Sequence, residues 1–334
     1  MKPTTAHLRL VEAPLDSYAA EWLDGIGAQY AAADRAALRA VLGFVATLYG
    51  DRKLPTGEGA LAHALATAAL VAQLRLDHEA LAAALAFQAC HLVPEGAARL
   101  RESLGKPVAD LAEGVLRMAQ IGALSNRPQA ALKPDERTGQ LEALRKMLLA
   151  MVQDVRVVLI KLADHTQELR HVVRLEDSDS RRETAQLSRD VFAPLANRLG
   201  VWQLKWEMED LAFRILEPAT YQRIARLLDE KRVDRQRYLD NVIALLKGDL
   251  TRAGIAAEVT GRPKHIFSIY EKMMRKGYDF TSLYDTRAVR VLVRDVTDCY
   301  AVLGLVHNLW SPIPKEFDDY IARPKSNQIG RAHV

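Results

Sequence analysis

Two cysteines, Cys90 and Cys299, are all that 334 residues hold, too few for a disulfide framework. No apolar run approaches the roughly 20 residues that a membrane-spanning helix needs. Residues 1–14 have neither a continuous apolar core nor a small-residue cleavage site, so they do not read as a secretory signal. A reducing, cytoplasmic compartment is therefore expected. An excess of either charge is nearly lacking: 46 Lys plus Arg stand against 42 Asp plus Glu, a formal net charge of +4. The surplus lies wholly in residues 251–334, which hold 13 basic and 9 acidic side chains. A small, local surplus suits an anionic ligand better than a long nucleic-acid track, so direct duplex DNA binding is not expected. A Walker A glycine loop is also missing, which leaves any nucleotide site to be of another type.

What is present is 49% apolar residues, enough for a real core, in a length that suits two domains. From residue 17 to 250 apolar residues recur at three and four, with Ala and Leu abundant, which predicts an all-α region. Helices are expected over 61–74, 79–91, 108–121, 140–154, 183–197, 202–216 and 219–250. Loops are expected at 50–59, 93–96 and 125–134, where Pro and Gly collect. The run VRVVLI at 155–160 taken alone reads as a buried strand, but the helical period that follows favours a buried helix over 155–172. After Gly254 the texture changes to strand (255–260), helix (263–276), strand (284–293) and helix (296–310, capped by Thr297 or Asp298), an α/β pattern.

The stretch GRPKHIFSIYEKMMRKG, 261–277, carries the most chemistry. On an ideal helix Lys264, Ser268, Lys272 and Arg275 fall within about 80° of one another, while Ile266, Ile269, Tyr270 and Met273 lie opposite, ready to pack on a sheet. Cations and a hydroxyl at the start of a helix, with free N–H groups at its positive end, suit a polyphosphate; a solvated basic face is the plainer reading. Asp285, at the head of the strand YDTRAVRVLV, suits a Mg²⁺ that bridges phosphates, or else a salt bridge to Arg287 or Arg290. Downstream, EFDDYIARPKSN sets Glu316, Asp318 and Asp319 before Arg323 and Lys325, a loop able to hold a metal and an anion together.

These three motifs, in this order and spacing, resemble the synthetase domain of the RelA/SpoT family, the (p)ppGpp synthetases or GTP pyrophosphokinases of the stringent response. The resemblance extends back through the helical region. It implies transfer of pyrophosphate from ATP to the 3′-hydroxyl of GTP or GDP, with Mg²⁺ as cofactor. By position, Arg262, Lys264, Ser268 and Lys272 would hold ATP, Asp285 would be the catalytic Mg²⁺ ligand, and Lys325 and Asn327 would lie on the guanine-nucleotide side. Asp318, where bifunctional members carry Lys, resembles the synthesis-dedicated branch.

The resemblance also implies an HD-type metal-dependent hydrolase fold in front, whose Mn²⁺ ligands are a His, a His-Asp pair and a later Asp. His63 and Asp164 match the first and last, but Phe87 and Gln88 stand at the pair. A hydrolase-like fold without hydrolase activity is expected. Cys90 and His91 point about 100° apart on a helix and are not read as a metal site, and Cys299 is read as a small core residue. The expected organisation is a degenerate hydrolase-like helical domain over 1–196, a helical connector over 197–250 and an incomplete α/β synthetase domain over 251–328. Residues 329–334, IGRAHV, are read as a non-native tail of the kind a sequencing adapter encodes, because Ile329 stands where the family has a guanine-stacking Tyr. A second carboxylate, a Glu, and the ribosome-binding regions would lie further downstream, so this chain is expected to be inactive by itself. The alternative is a non-catalytic, nucleotide-binding or regulatory helical module.

Overall fold

A computed structural model describes residues 21–26, 29–124, 154–230, 232–263, 265–277, 287–312, 317–324 and 332–333. The chain divides by packing into two compact units, Met1–Leu175 and Glu176–Val334. The sequence boundary at 196 follows the resemblance, whereas this division follows which helices touch.

In the first unit, helices Ala32–Tyr49, Ala60–Gln73, His78–Ala86, Ala89–Leu92, Gly96–Leu104, Lys106–Leu124 and Val155–Val172 form the core. Helix 60–73, ALAHALATAALVAQ, is apolar on nearly every side and is correspondingly enclosed, with Ala60, Ala64, Ala68 and Val71 fully buried. It packs against helices 78–86 and 155–172. The ambiguous run at 155–160 is indeed helix: Asp154 caps it by accepting from the Arg156 N–H, and Val157, Val158 and Ile160 are buried. Close approach between helices 106–124 and 155–172 needs Gly114, where a Cβ would sit 2.9 Å from Val157 Cγ2. Tyr49 is fully enclosed and its hydroxyl donates to the Leu85 carbonyl at 2.8 Å, which satisfies a buried phenol.

The helix expected over 79–91 is broken. Helix 78–86 ends at Phe87 and Gln88, where the Cys90 N–H turns to the Phe87 carbonyl at 3.1 Å, an i→i+3 bond that tightens the backbone before helix 89–92. The helix expected over 140–154 and the loop at 125–134 lie outside the described residues except for the cap, Asp154.

In the second unit, Asp179–Leu187 runs into a π-helical turn, Ser188–Phe192, and on into Ala193–Arg198, followed by Trp202–Leu216, Pro218–Glu230 and Arg232–Arg252. Strand Glu258–Pro263 pairs antiparallel with strand Arg287–Leu292, in a register that sets Thr260 opposite Arg290 and Arg262 opposite Ala288. Val259, Val289 and Val291 face a core made with helices 232–252 and 296–309, through Leu246, Leu250 and Val302 among others. Gly261 lies on this side too: a Cβ there would come within 3.2 Å of Ile243 Cδ1, so its missing side chain admits helix 232–252 rather than a phosphate.

Three sequence expectations change here. Helix Ile266–Lys276 starts three residues later than expected, because the strand continues to Pro263. Its apolar face docks on helices 202–216 and 218–230, not on a sheet: Ile269 is buried with Phe213, Ile224 and Leu228, and Ile266, Phe267, Tyr270 and Met273 pack around them. Helix Val296–Leu309 is capped by Asp295, which accepts from the Asp298 N–H at 2.9 Å, and not by Thr297 or Asp298. Cys299 on that helix is half-buried. A short pair, Asp318–Asp319 with Ala332–His333, joins part of the acidic loop to the last residues. Among the described residues no helix is long and apolar enough to cross a membrane.

Candidate functional site

The strongest concentration of buried charge is in the first unit, where four segments converge. Helix 60–73 supplies His63, the preceding loop supplies Glu58, the tight turn supplies Gln88, and one face of helix 155–172 supplies Lys161, Asp164 and Gln167. The spacing 161, 164, 167 puts the last three on one side of their helix.

His63, 2% exposed, lies between two carboxylates: Nδ1 is 2.7 Å from Glu58 Oε2 and Nε2 is 2.8 Å from Asp164 Oδ1. Gln88 donates from its amide to the same Asp164 oxygen at 3.1 Å, and the Lys161 ammonium lies 2.5 Å from the other, Oδ2. Gln167 donates to Glu58 Oε1 at 2.7 Å. Burial by itself would lower the His63 pKa, but the bonds to Asp164 and Glu58 outweigh it and raise it to about 9. Burial likewise disfavours the Asp164 carboxylate, yet Lys161 and His63 hold it well below the usual range, and the Lys161 pKa is raised in turn. Glu58 and Asp164 thus share one imidazolium and one ammonium, and Glu168 adds a further carboxylate to the field at Lys161 and Asp164.

That arrangement does not fit a metal of the kind an HD fold uses. Both ring nitrogens of His63 are spent on carboxylates, Gln88 presents N–H donors where a ligand would present a lone pair, and Phe87, 3% exposed, offers only a ring. Among the described residues no group of three or more His, Cys, Asp or Glu could hold a metal ion. His91 is exposed and Cys90 half-buried, its thiol pushed up to about 11 by burial. Glu58, Lys161 and Gln167 escaped the sequence reading. Only Lys161, one turn before Asp164, left a signal that could have found it.

In the second unit the structure describes some of the residues expected to bind nucleotide. Arg262 is in the first strand, paired with Ala288, two residues along from the Thr260–Arg290 pair. The Arg290 guanidinium lies over the Trp202 ring, 4.3 Å from its centroid. Ser268 and Lys272, one turn apart on helix 266–276, are half-buried. Lys264, Asp285, Glu316, Lys325, Asn327 and Ile329 lie outside the described residues.

The start of helix 266–276 differs from expectation. Its N-cap residue, His265, makes no side-chain cap; instead Asp210, from helix 202–216, accepts from the Phe267 N–H at 2.8 Å through Oδ1. The second oxygen of Asp210 lies 3.1 Å from His265 Nδ1, and Trp206 stacks on the His265 ring at 5.1 Å. A protein carboxylate thus already holds an N–H of the positive helix end that was expected to be free for phosphate.

The acidic loop is also partly committed. Asp319 accepts from the Ile321 and Ala322 N–H groups, both at 2.9 Å, and from the Tyr300 hydroxyl at 3.0 Å. The Ala322 N–H, foremost among these, holds its carboxyl below the ordinary range. Asp319 therefore builds a turn, while Asp318 is exposed.

Comparison with known proteins follows the same division. Residues 41–202 match the family described as "HD domain", and residues 261–334 match "Region found in RelA / SpoT proteins". Over 265 residues, 79% of this chain, it is 44% identical to a GTP pyrophosphokinase of Escherichia coli (strain K12), covering 35% of that protein. It is 41% identical over 81% of its length to a guanosine-3′,5′-bis(diphosphate) 3′-pyrophosphohydrolase of Haemophilus influenzae, covering 39% of it. Against a GTP pyrophosphokinase of Streptomyces coelicolor it is 40% identical over 85% of its length, covering 32%. The chain thus spans about a third of the length of the curated relatives it matches. With an HD-type helical region, a partial α/β region and both segments matched in order, the chain belongs to the RelA/SpoT family.

Proposed function

We propose that the second unit serves (p)ppGpp synthesis, transferring pyrophosphate from ATP to the 3′-hydroxyl of GTP or GDP. The observation that carries this reading is the two-sided helix 266–276: one side is anchored by Ile269 and its aromatic neighbours, and Ser268 and Lys272 follow one another on a different side, next to the strand that bears Arg262. In this reading Arg262, Lys264, Ser268 and Lys272 hold the ATP phosphates, and Lys325 and Asn327 receive the guanine nucleotide. Because AMP leaves, the 3′-oxygen attacks the β phosphorus, the bond from that phosphorus to the α-phosphate oxygen breaks, and the hydroxyl proton is released. Cations around the transferred group supply most of what such a reaction needs, by neutralising charge and fixing geometry. Asp285 would hold the Mg²⁺ that neutralises those phosphates.

The first unit, in the same proposal, keeps the HD-type fold without hydrolysing the product. What supports this is the closed set around His63 and Asp164, in which Lys161, Gln88 and Glu58 take up the lone pairs and ring nitrogens a metal would use.

The test is formation of 3′-labelled ppGpp or pppGpp from ATP labelled at its γ phosphate, with GDP or GTP and Mg²⁺, together with ATP retention by the chain. Label transfer that Asp285→Ala abolishes, or ATP retention that Lys272→Ala weakens, is the expected result. Neither ATP retention nor transfer would leave a regulatory helical module, and release of pyrophosphate from added ppGpp would refute the silent first unit.

A further inference from the structure

In the turn between strand 258–263 and helix 266–276, the described residues are held by a helix from outside the motif. The turn is short, residues 264 and 265, and it carries Lys264 between Arg262 and Ser268. The helix that follows has no cap from its own N-cap side chain. Every described polar bond that fixes the turn comes from helix 202–216, some 55 residues earlier in the chain. One carboxylate does two jobs: Asp210 Oδ1 takes the first-turn N–H of Phe267, and Oδ2 takes His265 Nδ1. Trp206, one turn before Asp210 on the same helix face, closes over the His265 ring. Further along the same helix, Phe213 stacks on Tyr270 with centroids 4.6 Å apart.

We propose that Asp210, with Trp206, is a positioning residue for the nucleotide site: it sets the conformation of the helix start at 265–267 and so the placement of Ser268 and Lys272 behind it. This rests on the reading of that turn and helix as the ATP-binding segment. A capping carboxylate from a distant helix is a poor partner for a phosphate, since both are anionic, so Asp210 acts through the turn and not on the ligand. Its work is geometric. With the N–H of Phe267 and the imidazole of His265 both pinned, the start of helix 266–276 is held against helix 202–216, and the entropy of ordering it is met before ligand arrives.

The experiment compares the 334-residue chain with Asp210→Ala, Asp210→Asn and Lys272→Ala, measuring affinity for Mg²⁺-ATP by titration and amide hydrogen exchange across 263–270. Asparagine keeps an oxygen for the Phe267 N–H and a polar group beside the imidazole, whereas alanine keeps neither. Asp210→Ala should speed exchange at Phe267 and weaken ATP binding about tenfold, with the circular dichroism of the helical regions unchanged, and Asp210→Asn should recover most of both losses. Faster exchange with unchanged ATP affinity would reduce Asp210 to a structural cap and overturn the proposal. Tighter ATP binding in Asp210→Ala would overturn it in the other direction, by making the carboxylate a competitor of phosphate. Should the unsubstituted chain fail to retain ATP, or Lys272→Ala bind as well as it does, the functional reading fails. The exchange comparison then decides the role of Asp210 in the turn separately, and unaltered exchange in Asp210→Ala would refute it.

Discussion

Replacing Lys161 by Met tests whether the cluster around Asp164 is held together as a balanced set of charges. Methionine keeps the unbranched stem and its packing but removes the ammonium that lies 2.5 Å from Asp164 Oδ2. Asp164 is 5% exposed, so the freed oxygen is largely cut off from bulk water, and Glu58 and Asp164 are left with one imidazolium while Glu168 adds to the repulsion. Removing one partner of a buried ion pair costs about 3 to 5 kcal/mol, most of it the stranded charge rather than the lost bond. For a unit of this size about 1 kcal/mol moves Tm by roughly 2 to 4 °C, so a fall of about 6 to 20 °C is expected in a circular-dichroism melt. The double variant Lys161→Met with Asp164→Asn should melt well above the value expected if the two losses added. With both charges gone, the side-chain oxygen of the introduced asparagine still accepts from Gln88, and His63 keeps Glu58. A drop of less than about 2 °C for Lys161→Met, or single losses that add to within about 0.5 kcal/mol, would refute the balanced-charge account.

The same cluster sets a pH dependence. His63 holds its proton more tightly folded, at about 9, than unfolded, near 6.5, so its contribution is complete below pH 6.5 and is lost as pH rises through about 9. Asp164 is shifted the other way: its contribution is present above about pH 4 and lost as pH falls towards its depressed folded value. Urea midpoints of the first unit should therefore fall between about pH 7 and 10, and His63→Gln should flatten that slope; an unchanged slope would contradict it. Millimolar Mn²⁺ or EDTA should leave the melting temperature within about 1 °C, because a ligand that binds the folded state raises it by mass action and none is expected here. Gly114→Ala should cost about 1 to 3 kcal/mol in a urea titration, since its Cβ would meet Val157 at 2.9 Å, whereas Gly43→Ala, with open space at its Cβ, should not destabilise.

How much of this the sequence could tell depends on the range of the interaction. Helix 155–172 was legible because its period persists past the valine-rich start. The face of helix 266–276 that packs was legible as well, from Ile266, Ile269, Tyr270 and Met273 at helical spacing. What it packs against was not: periodicity states that a stripe is buried and is silent about the partner. The break at Phe87 and Gln88 was hidden for the same reason, as nothing in ALAFQACHL opposes a continuous helix. Glu58 and Gln167 meet across 109 residues of chain, and no local pattern marks them. Ser268 could be read from helical spacing beside the basic residues, Arg262 took its expected role only from the resemblance to a known motif, and Asp210 belongs to none of the three motifs that carry it.

The strand and the helix on either side of residues 264 and 265 belong to different cores. The strand is fastened by aliphatic side chains to helices 232–252 and 296–309, and the helix by a mixed aliphatic and aromatic set to helices 202–216 and 218–230. Arg262 therefore travels with one block and Ser268 and Lys272 with the other. The distance between them is a readout of how those two blocks are set, much as the gap of a pair of calipers reports the angle at its hinge. A change of a few degrees in the path of helix 232–252 relative to helix 202–216 would open or close that gap with none of the three side chains of the proposed site being touched.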